Sequence, residues 1–380
     1  MIYKGIIAVI VLLSAVVGCQ QNNQNNTLKN VVSTSDSLAT ERTQKLYAVL
    51  KSTAKKGTML GHQDDLAYGH DWYGVDGKSD FKDVTGGYPA VVGWEIGDVE
   101  LGKSYNLDSV YFENMRKFVR QTAERGGVST FSWHANNIAT GGNAWDCKQD
   151  TVVKSILPGG VHHEEYLRWL SKVGDFFLSL TDDEGELIPI VFRPYHEHTG
   201  SWFWWGADQC TPEEYKALWK MTIDYFQQEK QIHHILYCYS PSETRDEEHF
   251  LERYPSDDQV DLVAFDCYVP NQGTAKDLDE YRQAMAQNIA IVTEYAKKSG
   301  KLATIGETGY EGIKSHGYFT ETIYPLIQKK GLAWVLFWRN AYEKDKREHY
   351  YIPYKGHPAA ADLKILSEKD DILLRLLPHE

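Results

Sequence analysis

The sequence predicts an α/β chain folded as a single (β/α)8 barrel. Eight short apolar runs recur along it, helical patterns fill several of the gaps between them, and no glycine-rich phosphate turn follows the first run. The runs span 57–62, 89–95, 128–135, 187–196, 233–240, 260–268, 301–307 and 332–339, and each is rich in β-branched and aromatic residues, as buried strands are. Helical periodicity occupies 108–125, 164–180, 212–229, 278–298 and 320–330. At Thr211-Pro212-Glu213-Glu214 a cap residue, a first-turn proline and two acids mark a helix start. Buried strands alternating with helices imply a parallel sheet, and eight of them imply closure. An open doubly wound sheet would need the phosphate turn that is missing here.

Composition narrows the partners. The formal charge of −13 argues against nucleic acid, whose binding rests on Lys and Arg neutralising phosphates. With 11 Trp and 24 Tyr, the chain has the flat amphipathic rings that line clefts for neutral sugars, although such rings also fill cores.

The N-terminus reads as targeting. Residues 1–18 combine Lys4 with an apolar run from Gly5 to Val17, too short for a comfortable membrane span. The run ends at Val16-Val17-Gly18-Cys19, which resembles a bacterial lipoprotein signal with Cys19 as the lipidated residue. Residues 19–35 form a polar tether, Gln20-Gln21-Asn22-Asn23-Gln24-Asn25-Asn26 having nothing apolar to bury. No acid follows Cys19 closely. The expectation is therefore an outer-membrane anchor facing the periplasm, with the cell surface as the alternative. The catalytic domain is expected over 36–380. Of the remaining cysteines, Cys238 and Cys267 sit in apolar runs and read as buried thiols. Cys147 and Cys210 lie in polar, Trp-rich segments and are expected to pair in an oxidising compartment.

A barrel of this kind keeps its chemistry at the C-terminal ends of its strands. Those ends are polar here. The third run finishes Phe131-Ser132-Trp133-His134, the fourth Arg193-Pro194-Tyr195-His196-Glu197, the sixth Phe265-Asp266-Cys267-Tyr268, the seventh Gly306-Glu307-Thr308 and the eighth Phe337-Trp338-Arg339. Any one of these alone is more often a structural group than a catalyst. Their co-location on one rim shifts the odds. Glu197 and Glu307 then suit a glycosidase, which needs one carboxyl holding its proton and one ionised opposite it. Arg193 and Arg339 are rim cations able to keep one glutamate ionised, and the Tyr268 hydroxyl can bond it. The run Trp202-Phe203-Trp204-Trp205 can desolvate Glu197 and raise its pKa. A metal-dependent hydrolase using His196, His198 and Asp266 is a weaker reading, because the first strand offers only His62. No metal or cofactor is expected.

The segment Arg193-Pro194-Tyr195-His196-Glu197-His198-Thr199-Gly200-Ser201-Trp202-Phe203-Trp204-Trp205-Gly206 closely resembles glycoside hydrolase family 26, mostly β-mannanases. The resemblance runs from Gly57-Thr58-Met59-Leu60-Gly61-His62 to Trp338-Arg339. It implies a retaining hydrolase acting on β-1,4-mannan, galactomannan or manno-oligosaccharides, with Glu197 as acid/base and Glu307 as nucleophile. It also implies that Tyr268 touches the nucleophile and that His196, His134, Trp202, Trp338, Arg339 and the cleft residue Trp145 bind substrate. The family includes enzymes of mixed-linkage β-glucan and β-1,3-xylan, and a sugar-binding lipoprotein without turnover is a further alternative. Internal or end-on cleavage depends on how the segments 71–87 and 138–160 shape the cleft.

Overall fold

The computed structural model describes Met1 and residues 33–270 and 273–378. The chain divides into two units, Met1–Val31 and Val32–Glu380. Met1 aside, the first lies outside the described residues, and Cys19 with it. Among the described residues no helix is long and apolar enough to cross a membrane.

Eight parallel strands close into a barrel: β1 (Thr58–Gln63), β2 (Val91–Glu95), β3 (Val128–Trp133), β4 (Ile190–Pro194), β5 (Ile235–Tyr239), β6 (Leu262–Val263 and Asp266–Tyr268), β7 (Leu302–Gly309) and β8 (Leu332–Phe337). Each pairs with its sequence neighbour, and β8 pairs with β1 through Met59↔Trp334 to His62↔Phe337. The helices are α1 (Glu41–Ala54), α2 (Asp80–Thr85), α3 (Phe112–Glu124), α4 (Val152–Ile156), α5 (His163–Leu178), α6 (Pro212–Asp224), α7 (Glu247–Leu251), α8 (Ala275–Ser299), α9 (Tyr324–Ile327) and α10 (Ala360–Ser367). At the start of α6, Thr211 and Glu214 form a reciprocal capping box with Pro212 inside the first turn, as the local sequence anticipates.

Alternation along the strands separates two cores. In β4, Ile190 and Phe192 join the layer packed under the helices, while Val191 joins the barrel interior with Met59, Leu236 and Leu262. Arg193 follows Val191 by two residues and so rises from that interior into the mouth. Helix α1, which no apolar pattern announced, adds Tyr47 and Leu50 to the same inner cluster. A short strand at Ile372–Leu373 pairs with β1.

Three expected elements are modified. The sixth run is split at Ala264-Phe265: its first half pairs with both β5 and β7, and its second half with β7. The helix expected to 229 widens into a π-turn at Tyr225–Glu229. The helix expected over 320–330 begins as a π-turn at Tyr318–Ile323 and ends at Ile327, where Gln328 turns extended.

Candidate active site

Glu197 leaves β4 on a tightly wound stretch. Tyr195 and Glu197 have φ of 49° and 54°, a left-handed conformation that costs a residue with a Cβ roughly 1–2 kcal/mol. Neighbours hold this path. The Glu197 N–H donates to Ser240 O at 2.8 Å, Trp205 Nε1 donates to His196 O at 2.8 Å, and the Tyr215 hydroxyl donates to Tyr195 O at 3.0 Å. The Tyr195 hydroxyl is itself bonded to Tyr166 and Thr222.

Glu307 reaches the mouth from β7, whose register against β8 shifts between Ile305 and Thr308. A bulge of this sort re-aims a side chain that strict alternation would turn the other way. Glu307 pairs directly with Asp266 of β6, and Arg193 forks between the two carboxylates. Its Nη1 donates to Asp266 Oδ2 at 2.7 Å and its Nη2 to Glu307 Oε1. The Tyr268 hydroxyl donates to Glu307 Oε2 at 2.7 Å, and Ser240 Oγ donates to Asp266 Oδ1 at 3.0 Å. Both oxygens of Glu307 are therefore engaged by donors aimed at an ionised carboxylate.

Oxygen atoms of Glu197, Asp266 and Glu307 lie within 4.8 Å of one another. The two glutamates do not share the same surroundings. Burial pushes the Glu197 carboxyl up to about 7, and the negative charge of Glu307 adds to that; the Trp202 hydrogen bond, His134 and Arg193 pull back. Burial also opposes the charge on Arg193, but Asp266 and Glu307 more than offset it and keep the guanidinium protonated. A protonated carboxyl thus faces an ion-paired one, the division that acid and nucleophile require. The three carboxylates have the count to hold a cation. The Arg193 guanidinium already supplies that charge to two of them.

The remaining groups frame this pair. His196 is buried, its Nε2 3.9 Å from Glu307 Oε1, and burial together with Arg193 lowers its pKa well below the usual value, so it is a neutral ring. His134 directly follows β3, and its Nδ1 lies 2.7 Å from Glu95 Oε2. Burial works against its proton, yet the charge and hydrogen bond of Glu95 raise its pKa. Glu95 is fixed in turn by Ser132 Oγ at 2.8 Å and the Gly97 N–H at 2.6 Å. Trp145, 48% exposed, lies flat on His134 with ring centroids 4.9 Å apart. Phe203 contacts the rings of both His134 and His196, and half-buried Trp338 approaches His134 at 6.5 Å. Trp202, 45% exposed, donates its Nε1–H to Glu197 Oε2 at 2.6 Å.

Four expectations need correction. Arg339 does not join Arg193 at Glu307: its partners are Asp108 at 3.1 Å, the Tyr68 hydroxyl at 3.3 Å and Glu343 at 3.8 Å. Of the aromatic run, Trp202 and Phe203 face the site, whereas Trp204 and Trp205 are core residues whose indoles donate to Ala135 O and His196 O. Cys147 and Cys210 are free thiols. Cys210 is buried and accepts from Arg253 Nη1 at 3.3 Å. His198 is buried between the rings of Tyr215 and Tyr239 at 4.5 and 4.8 Å and does not join the carboxylate cluster of Glu197, Asp266 and Glu307. Sequence reading missed Glu95, Asp108 and Ser240. Glu95 was legible as the carboxylate ending the second run, while Asp108 looked like the start of a helix.

A family model described as glycosyl hydrolase family 26 matches residues 35–323. A GH26 β-mannanase from Bacteroides ovatus shares 43% identity and superposes with a TM-score of 0.84, covering 88% of this chain and 95% of that one. The catalytic domain of a GH26 endo-β-1,4-mannanase from Bacillus sp. JAMB-750 is 30% identical, with a TM-score of 0.81 over 90% of this chain and 93% of its own. A mannan endo-1,4-β-mannosidase of Bifidobacterium adolescentis is 29% identical over 91% of this chain, which spans only 36% of that relative's length.

Proposed function

Because the chain belongs to glycosyl hydrolase family 26, we propose that it is a retaining glycoside hydrolase cleaving β-1,4-mannosidic linkages. One observation carries the mechanism: oxygens of Glu197 and Glu307 approach within 4.8 Å while their surroundings differ. Retaining enzymes hold their carboxyls about 5–5.5 Å apart, whereas inverting ones leave about 6.5–9.5 Å for a water. Glu307, steadied by Arg193 and Tyr268, attacks the anomeric carbon as Glu197 gives its proton to the departing glycosidic oxygen. Glu197 then takes a proton from the water that releases the sugar from Glu307. Mannan as substrate is supported by the relatives: the Bacillus and Bifidobacterium proteins are named for the β-1,4 linkage and the Bacteroides one as a β-mannanase.

The test is hydrolysis of galactomannan and mannohexaose by the wild type and by Glu197→Ala and Glu307→Ala. Turnover by the wild type and its loss in both variants is expected. Near-normal activity in either variant would remove the assignment.

We infer further that Cys19 carries a lipid and anchors the enzyme to the outer membrane on its periplasmic side, where it would act on imported oligosaccharides. The support is the Gly18-Cys19 junction and the acid-free polar tether after it. Cys19→Ser should move the protein from the membrane fraction to the soluble one, and protease added to intact cells should leave the wild type uncut. Digestion on intact cells would place it on the surface instead.

A further inference from the structure

We propose that Asn137 and Asp146 are positioning residues that clamp the loop between them and so fix Trp145 as a sugar-stacking platform. This rests on the glycosidase reading above.

An indole that is 48% exposed gains little from burial, and a polar loop gives it no core to lean on. Its one firm ring contact below is His134, with Phe203 at 5.4 Å to the side. The loop backbone must therefore supply the order. Asn137 is fully buried at the loop's foot and bonds through both ends of its amide there. Its Oδ1 accepts from the Ala139 and Thr140 N–H groups at 3.0 and 3.2 Å, and its Nδ2 donates to Asp146 O at 2.7 Å. Its main chain pairs with Gly142, N–H to O at 2.9 Å. From the other end, Asp146 Oδ2 accepts from Thr140 Oγ1 at 2.8 Å.

Trp145 is thus pinned through both chain neighbours. Asp146 O is held by Asn137, and Ala144 O accepts the Trp204 N–H at 3.1 Å. Gly142 completes the closure, since a Cβ there would stand 2.3 Å from Asp146 Oδ2. A loop closed by its own side chains presents a rigid ring at low entropic cost on binding, the property a stacking platform needs. The clamp touches neither Glu197 nor Glu307. Its loss should weaken sugar binding and leave the chemical step largely intact.

The test is a double-mutant cycle on mannohexaose hydrolysis, with Asn137→Ala, Trp145→Ala and both together, and thermal melting as the control for folding. If Asn137 acts through Trp145, each single change should raise KM by about fivefold with kcat within about twofold, and the double variant should be no worse than Trp145→Ala. Multiplying effects in the double variant, or a fall in kcat at constant KM, would overturn the proposal. Should Asn137→Ala fold poorly, Asp146→Ala and Asp146→Asn give the same answer. The amide oxygen of Asp146→Asn still accepts the Thr140 hydroxyl, so it should restore wild-type KM, and equal KM values for the two would also overturn the clamp. Absence of turnover in the wild type would instead contradict the assigned activity, and is distinct from either result.

Discussion

The Trp202 indole donates to the carboxyl of Glu197 at 2.6 Å, from a ring that lies against Gly200. An indole N–H only donates, so the oxygen it reaches is an acceptor and the carboxyl proton sits on the other oxygen of Glu197. A Cβ at Gly200 would stand 2.2 Å from the Trp202 ring, so this glycine is what allows the indole its place.

Trp202→Phe tests the consequence. The bond favours the ionised form and works against burial and the charge of Glu307, which hold Glu197 near 7. Without it the carboxyl keeps its proton to higher pH. The alkaline limb of the kcat/KM profile should move up by about half a pH unit, modest because the donor is nearly half exposed. A limb that moves down would contradict the role.

Arg193→Ala should be severe on two readouts. It leaves Asp266 and Glu307 buried without their shared cation, a situation that costs about 3–5 kcal/mol. We expect a lower midpoint in denaturant and a kcat/KM reduced by about a hundredfold or more. Arg339→Ala, whose partners are Asp108, Tyr68 and Glu343, should spare kcat by comparison.

Glu95→Gln weakens the support of His134. The wild-type His134 pKa is raised above 6.5, so the pairing stabilises the fold fully below about pH 6.5 and fades as pH rises through the folded value. The stability gap between wild type and variant should be widest near pH 5.5–6.5 and narrow on the alkaline side. Urea melts across that range check it; a gap that grows with pH would be the wrong sign.

Gly306→Ala should damage the site without touching a catalytic atom. The added Cβ would meet Asp266 Oδ1 at 2.5 Å and Ser240 Oγ at 2.7 Å, inside a packed barrel mouth. Overpacking of this kind costs about 1–3 kcal/mol, and displacing Asp266 disturbs the Arg193 fork. Thermal melting and kcat/KM should fall together.

Much of this was legible in the chain because barrel strands carry their chemistry at one end. Eight apolar runs gave the strand count, and the polar residues closing them gave Glu197, Glu307, Tyr268 and His134. What stayed hidden depends on the third dimension. Arg193 and Arg339 look alike as strand-end cations, and only packing shows that one serves Glu307 while the other is taken up by Asp108. Four adjacent aromatics read as one wall, yet the turn after Glu197 leaves Trp202 exposed, buries Phe203 against the rings of His134 and His196, and sends Trp204 and Trp205 into the core. Helix α1 escaped notice because its inner face is marked chiefly by Tyr47, Val49 and Leu50 amid polar residues. Cys147 and Cys210 were linked by their surroundings alone, which specify no distance.

The spacing of Glu197 and Glu307 makes one commitment that proton NMR of the products reads directly. With manno-oligosaccharide as substrate, the first hemiacetal released should carry the β configuration, with the α-anomer appearing only later by mutarotation. Release of the α-anomer first would mean direct attack by water, and the account of Glu307 as a nucleophile would be wrong.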